Sequence, residues 1–279
     1  MTPRELIRVT AGRFQAAGIP DPGYDSALLL SYLCGEPPLK LRLDTETELS
    51  PGLLKQFESL AARRLRREPL QYLLGESWFC GRRFRVDRRV LIPRPETELL
   101  CEWALEAIAE VPSPRVLDVC TGSGCIGLTL GAERPDARIT LTDLSVEALQ
   151  AARENAEALG VNVRLIQSDL LGSVPKGEKF DLILSNPPYI PTAECRGLQE
   201  EVLREPVMAL DGGEDGLDFY RRLASDVPAF LFPGSSLMAE AGAGEAEAIL
   251  CLLKEAGFTG LQVRKDLAGI DRMIRAIRP

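Results

Sequence analysis

The sequence predicts an α/β protein, a doubly wound and mostly parallel sheet closed by a C-terminal antiparallel hairpin, with a small all-helical domain in front of it. Two observations carry this. From about residue 113, short apolar runs alternate with helical patterns across short loops, as strands and helices do in a parallel sheet. Residues 1–72 instead show apolar positions at helical spacing only.

In that first stretch the apolar positions are Leu6, Val9 and Phe14, then Ala27, Leu28, Leu29, Leu30, Tyr32 and Leu33, then Leu53, Leu54, Phe57 and Leu60. Pro20, Pro22, Pro37, Pro38 and Pro51 punctuate them, and Ser50-Pro51 is a good N-cap and N1 pair for a helix. The run Arg63-Arg64-Leu65-Arg66-Arg67 ends the bundle; it reads either as a solvated helix face or as a patch that meets a partner. Residues 73–94 form a linker. Within it, residues 78–86 predict a β-hairpin with Gly81 at the turn, and Pro93-Arg94-Pro95 a stiff connector. Pro95 sits where a helix begins, with Glu96 and Glu98 suited to its first turn. A catalytic domain then spans 95–279. Its strands are predicted at 115–119, 138–143, 163–167, 180–184 and 236–240, its helices from 125, at 146–159 and 245–256, and a closing hairpin at 259–264 and 272–277.

Composition narrows the chemistry. The 279 residues include no histidine, which removes Ser-His-Asp and Cys-His nucleophilic mechanisms and histidine-ligated metals. Seven cysteines, scattered without CxxC spacing, read as reduced thiols of a cytoplasmic protein, and no metal site is expected. No apolar run approaches the ~20 residues of a membrane span, and the N-terminus lacks the apolar core of a signal peptide. The net charge of -8 lies in residues 113–279, with seventeen basic and twenty-five acidic side chains, while residues 1–75 carry ten and nine. An acidic catalytic half disfavours a long nucleic-acid interface. It leaves a basic protein partner open.

The most informative residues are Asn186-Pro187-Pro188-Tyr189, directly after the apolar run 180–185. Two prolines stop the strand and stiffen the tetrapeptide, so the Asn side chain and prolyl carbonyls offer acceptors without ladder partners. That arrangement suits a planar –NH2 group, with the tyrosine face beside it. Upstream, Asp118-Val119-Cys120-Thr121-Gly122-Ser123-Gly124 joins a strand to a helix, where glycines let backbone approach a ligand. Asp143 ends the next strand, 21 residues after Gly122, where a carboxylate binds ribose hydroxyls. No GxGxxG is present, so a nucleoside without pyrophosphate, such as S-adenosylmethionine, fits better. Asp118 is a candidate for its amino group. Asp169, after Ser168, is a candidate acceptor for the adenine amino group, with Leu170 packing on the ring. The Gly/Asp-rich stretch 205–217 reads as a loop and a candidate substrate lid.

Taken together these motifs resemble the class I, Rossmann-like methyltransferases of the NPPY subgroup. More closely, the chain resembles the HemK/PrmC-type peptide chain release factor N5-glutamine methyltransferases. The likeness covers essentially the whole chain: the helical start, residues 67–75, Leu91-Ile92-Pro93-Arg94-Pro95-Glu96-Thr97-Glu98, the glycine loop, NPPY-Ile190, and Glu205-Pro206 with Ala209-Leu210-Asp211-Gly212-Gly213. One departure is Cys120, where the family usually has glycine. The resemblance implies methyl transfer from S-adenosylmethionine, leaving S-adenosylhomocysteine, to the glutamine of the Gly-Gly-Gln loop of class 1 release factors. It implies Asn186, Pro187 and Tyr189 as catalytic and Pro188 with them as substrate-binding. Asp118, Cys120, Thr121, Gly122, Ser123, Gly124, Asp143, Asp169, Leu170 and Asn186 would surround the cofactor. Residues 1–72, and the hairpin around Trp78 and Arg82 to Arg89, are expected to recognise the release factor. Methylation of a ribosomal-protein glutamine, or of adenine N6 in nucleic acid, are the alternatives.

Overall fold

The computed structural model describes residues 1–279. Its contacts divide the chain into a helical unit, 1–76 with 199–204, and a larger unit, 77–198 with 205–279. The short segment 199–204 was not foreseen as part of the helical unit, because nothing in its own sequence distinguishes it from the loop around it.

The helical unit contains α1 (Pro3–Ala16), α2 (Pro22–Cys34), α3 (Pro38–Leu43), α4 (Pro51–Leu65) and α5 (Leu70–Leu74). Thr2 caps α1 in a reciprocal arrangement with Glu5, and Ser50 Oγ accepts the Leu53 N–H to cap α4. Phe14, Leu29, Leu30 and Phe57 are fully buried at its centre. Val9 and Tyr32, expected to face inward, are instead exposed. The buried stripe of α1 runs through Leu6, Ile7, Thr10 and Phe14, and Val9 falls off it. The arginine run is neither a bare solvated face nor a free patch. Arg64 is buried against Asp25 and Glu201, Arg63 pairs with Glu68, and Arg67 pairs with Glu201, leaving Arg66 exposed.

In the larger unit, β1 (Glu76–Phe79) and β2 (Arg82–Arg85) form the hairpin. Its two turn residues, Cys80 and Gly81, both have positive φ, which matches the right-handed twist of the strands. Next come α6 (Pro95–Ala107), β3 (Arg115–Val119), α7 (Cys125–Glu133), β4 (Arg138–Asp143), α8 (Val146–Leu159), β5 (Val163–Gln167) and β6 (Phe180–Ser185). After an insertion with three short 3-10 turns come α9 (Asp218–Asp226), β7 (Leu231–Glu240), α10 (Ala246–Glu255), β8 (Thr259–Lys265) and β9 (Asp271–Ile277).

The seven-stranded sheet runs β5-β4-β3-β6-β7-β9-β8, parallel except for β9, which is antiparallel to both neighbours. β7 starts earlier than its sequence suggests. It begins at Leu231, ahead of the predicted 236, and takes up Pro233-Gly234 through a register shift opposite β6. Alternate side chains feed two cores. Val116, Leu182, Leu184 and Met238 pack with α6, α7 and α8, whereas Leu117, Ile183 and Leu237 pack with α9 and α10. The chain moves outward from β3 through β5, then returns to place β6 beside β3. The loops after β3 and β6 therefore face one crevice at the carboxyl ends of the strands, where ligands bind in such sheets.

Candidate active site

Asp118 lies at the penultimate position of β3 and is fully buried. Its Oδ2 accepts from the Thr121 hydroxyl at 2.6 Å and the Gly127 N–H at 3.0 Å, while Oδ1 has no partner. Burial pushes its pKa up to about 7. Asp118, read as a candidate for the cofactor amino group directly or through water, stands behind the loop and staples it to α7 through Oδ2, with Oδ1 left over. Thr121 and Ser123 are buried with it, and Gly124 is the left-handed N-cap of α7. Asn155 of α8 braces the same loop, donating to the Ser123 carbonyl, while it also accepts from the Arg85 N–H and donates to the Arg85 carbonyl. One buried side chain so ties the hairpin to the glycine loop.

A cavity of about 450 Å³ opens at the carboxyl ends of β3, β4, β5 and β6. Cys120, Gly122, Asp143, Asp169, Leu170, Asn186 and Pro188 line it. Asp143 Oδ2 accepts the Gly122 N–H and Oδ1 the Ser145 N–H, each at 2.9 Å. Each oxygen keeps a lone pair for a further donor. Cys120 has φ +59°, in the region where a side chain is strained, and its thiol pKa is raised by burial. Asp169 pairs with Arg222 at 2.7 Å, and Leu170 turns the chain at φ +49°. Several wall residues were not singled out from sequence. Leu144 and Ser145 follow Asp143 ahead of α8 and Ala148 lies in its first turn, while Val207 and Met208 come from the insertion and Phe219 from the start of α9.

At the end of β6 the Ser185 hydroxyl donates to the Val119 carbonyl, which fastens the two strand ends together. Asn186 Nδ2 donates to Thr97 Oγ1 at 3.2 Å. Its Oδ1 is the acceptor left over. Pro187 is buried and Tyr189 half-buried; neither lines the cavity, and burial raises the Tyr189 pKa to about 12. The insertion folds back onto this tetrapeptide. Ile190 N–H donates to the Leu210 carbonyl, Gly212 N–H to the Ile190 carbonyl, and Thr192 N–H to the Gly213 carbonyl. A Cβ at Gly212 would lie 2.7 Å from Tyr189 Cα, and one at Gly216 would strike the Tyr189 carbonyl oxygen. Glu205 is buried, accepting from the Ile92 N–H at 2.9 Å and pairing with Arg94 at 2.6 Å. Asp211 accepts from the Thr192 hydroxyl and the Gly213 N–H. The segment read as a candidate lid braces NPPY, and its residues 207–209 also form cavity wall.

A family model described as the methyltransferase small domain matches residues 97–214, and one described as the PrmC N-terminal domain matches residues 5–75. A release factor glutamine methyltransferase of Cereibacter sphaeroides is 46% identical over 100% of this chain and 99% of its own. The chain belongs to the release factor glutamine methyltransferases. Another member, from Deinococcus radiodurans, is 42% identical over 99% of this chain and 98% of its own. Among solved structures, the fold is similar to a Thermus thermophilus 16S rRNA N2 G1207 methyltransferase in complex with AdoMet and guanosine. That match has TM-score 0.55 and 20% identity, over 73% of this chain and 50% of the other. A methyltransferase from Pyrococcus furiosus matches with TM-score 0.53 and 18% identity over 70% and 88%. These two likenesses speak for the class I methyltransferase fold alone.

The cavity of this family member fits S-adenosylmethionine. A Cβ built at Gly122 meets no atom within 4 Å, so the loop faces open space sized for a ligand. Asp143 offers carboxylate lone pairs at one wall, and Leu144 and Leu170 offer apolar surface beside it. The lining arginine, Arg89, is already bound to Asp87 and Glu154, and is no free clamp for a pyrophosphate. No helix is long and apolar enough to cross a membrane, and no cluster of side chains is arranged to hold a metal ion.

Proposed function

We propose that this chain methylates the side-chain amide nitrogen of the glutamine in the Gly-Gly-Gln motif of class 1 translation release factors, using S-adenosylmethionine. The observation that carries this is Asn186, whose amide borders the cofactor-sized cavity with its NH2 group already engaged and its carbonyl oxygen open. An open Asn oxygen followed by the Pro187 carbonyl gives two acceptors in a row, the complement of a primary amide. Names of relatives aligned over the full chain support the same substrate.

S-adenosylmethionine, when bound, supplies a methyl group already activated on a sulfonium. The difficulty lies with the amide nitrogen, whose lone pair is delocalised. Asn186 Oδ1 and the Pro187 carbonyl accept its two hydrogens, hold its orientation and favour a more pyramidal nitrogen. Pro188 keeps the tetrapeptide rigid, and Tyr189 fixes it to the core and the insertion. Asp143 would hold the ribose hydroxyls, Gly122 would let backbone approach the cofactor, and Asp169 and Leu170 would border the adenine. Positioning of this kind supplies ~7–11 kcal/mol, and the proton leaves to water without a histidine.

A labelled-cofactor assay tests the reading. It offers unmethylated release factor, its Gly-Gly-Ala variant, a ribosomal-protein glutamine substrate and duplex DNA. Label on the parent factor alone is expected. Label on DNA or the ribosomal protein instead would move the substrate assignment.

A further inference from the structure

Thr97 and Glu240 lie outside the loops that form the crevice and have no role in the reading above. Thr97 is the third residue of α6, and Glu240 is the last of β7, the strand beside β6. Both are 2% exposed. Thr97 Oγ1 donates to Glu240 Oε2 at 2.5 Å, and Asn186 Nδ2 donates to Thr97 Oγ1 at 3.2 Å. The three side chains form one line from the strand end to the cavity wall.

This line has a direction. A hydroxyl carries one hydrogen, and an ionised carboxylate only accepts. Burial raises the Glu240 pKa to about 6, so above that pH the carboxylate is ionised, Thr97 gives its hydrogen to it, and the threonine oxygen is left able only to accept. Of the two ends of the Asn186 amide, only NH2 can satisfy it. An amide flip would place two acceptors, Asn186 Oδ1 and Thr97 Oγ1, face to face at a partly buried contact. The Glu240 strand end is itself held, because the Tyr220 hydroxyl donates to the Glu240 carbonyl at 2.7 Å.

We infer that Thr97 and Glu240 are positioning residues that set the amide polarity of Asn186, so that its oxygen and not its nitrogen faces the substrate amide. The inference rests on the proposed reaction and deepens it. Without the lock, Asn186 samples both orientations, and the flipped one presents NH2 to NH2. Neither residue touches substrate, so their loss acts on turnover through Asn186.

The experiment compares the full-length protein with Thr97→Val, Thr97→Ser and Glu240→Gln. It measures kcat and KM for methylation of release factor, the dissociation constant of S-adenosylhomocysteine by calorimetry, and the thermal midpoint. Thr97→Val keeps shape and removes the hydroxyl; kcat should fall on the order of 10²-fold, with cofactor-product affinity within about twofold. Thr97→Ser restores the hydroxyl and should recover most of kcat at a similar thermal midpoint, which a packing role for the lost methyl would not do. Glu240→Gln can accept or donate, so kcat should lie between the parent and Thr97→Val. Parental kcat in Thr97→Val overturns the inference, as does a Thr97→Ser as slow as Thr97→Val. A parent protein that does not methylate release factor at all instead removes the substrate reading, a distinguishable outcome.

Discussion

Cys120 puts a side chain where the backbone turns left-handed, at φ +59°. A non-glycine residue there stores about 1–3 kcal/mol of strain, and this one is also among the residues that line the cavity. Cys120→Gly removes both. The variant should bind S-adenosylhomocysteine at least as tightly as the parent by calorimetry; weaker binding would show that the thiol packs against the ligand. Asp118 behind the loop makes a pH prediction. Its pKa is raised from 3.8 to about 7 by burial, with Asp143 adding to the rise. Between those values the folded state keeps a proton that the unfolded chain has lost. The contribution to stability is therefore full below pH 3.8 and is lost as pH rises through 7. Asp118→Asn does not titrate. Relative to it, the parent should lose roughly 2–3 kcal/mol between pH 5 and pH 8, read from urea unfolding of both at the two pH values. A gap that stays constant with pH would mean that the carboxyl is ionised throughout.

At the scale of elements, the insertion matters to NPPY as much as β6 does. Gly212 passes so close to Tyr189 that a Cβ would sit 2.7 Å from its Cα, and no flexible side chain can yield there. Gly212→Ala should cost about 1–3 kcal/mol through overpacking and lower kcat more than cofactor affinity, because the displaced Tyr189 backbone belongs to the tetrapeptide that carries Asn186. Denaturation midpoints and steady-state kinetics on one sample check this; unchanged kcat would show that the brace is dispensable. The strands and helices around the site were legible because each follows a local rule. Buried parallel strands are apolar runs, Ser50 and Pro95 mark helix starts, and the motifs fall in loops at strand ends. Partners distant in sequence were not legible. Glu205 reading the Ile92 N–H, and Glu240 holding Thr97 from 143 residues away, depend on which strand ends the sheet brings together. The bonds of Asp118 to Thr121 and Gly127 were not legible for a related reason, since sequence gives its position on the strand but not the side of the loop on which its carboxylate lies.

At the scale of the whole molecule, the chain leaves the larger unit after Leu198 and rejoins it at Glu205, with the intervening six residues belonging to the helical unit. Glu201 anchors them, pairing with Arg64 at 2.8 Å and Arg67 at 2.7 Å. Arg64 also pairs with buried Asp25 at 2.7 Å, whose carboxyl stays above its ordinary pKa because burial outweighs the arginine. The cluster is asymmetric under mutation. Removing Arg64 strands the Asp25 charge and should cost about 3–5 kcal/mol. Removing Glu201 leaves Arg64 on Asp25 and Arg67 on the Ala17 and Gly18 carbonyls, so the bundle keeps its own bonds. Glu201→Ala should therefore release residues 199–204 selectively. The segment is flanked by Arg196 and ends at Arg204, whose remaining tie is a donation to the Arg66 carbonyl at 3.0 Å. Limited trypsin digestion followed by mass spectrometry should show cleavage after Arg196 or Arg204 well before other sites, while the thermal midpoint changes little. Cleavage no faster than in the parent would show that backbone contacts, and not the ion cluster, hold the segment. A large loss of midpoint would show that the bundle itself depends on it.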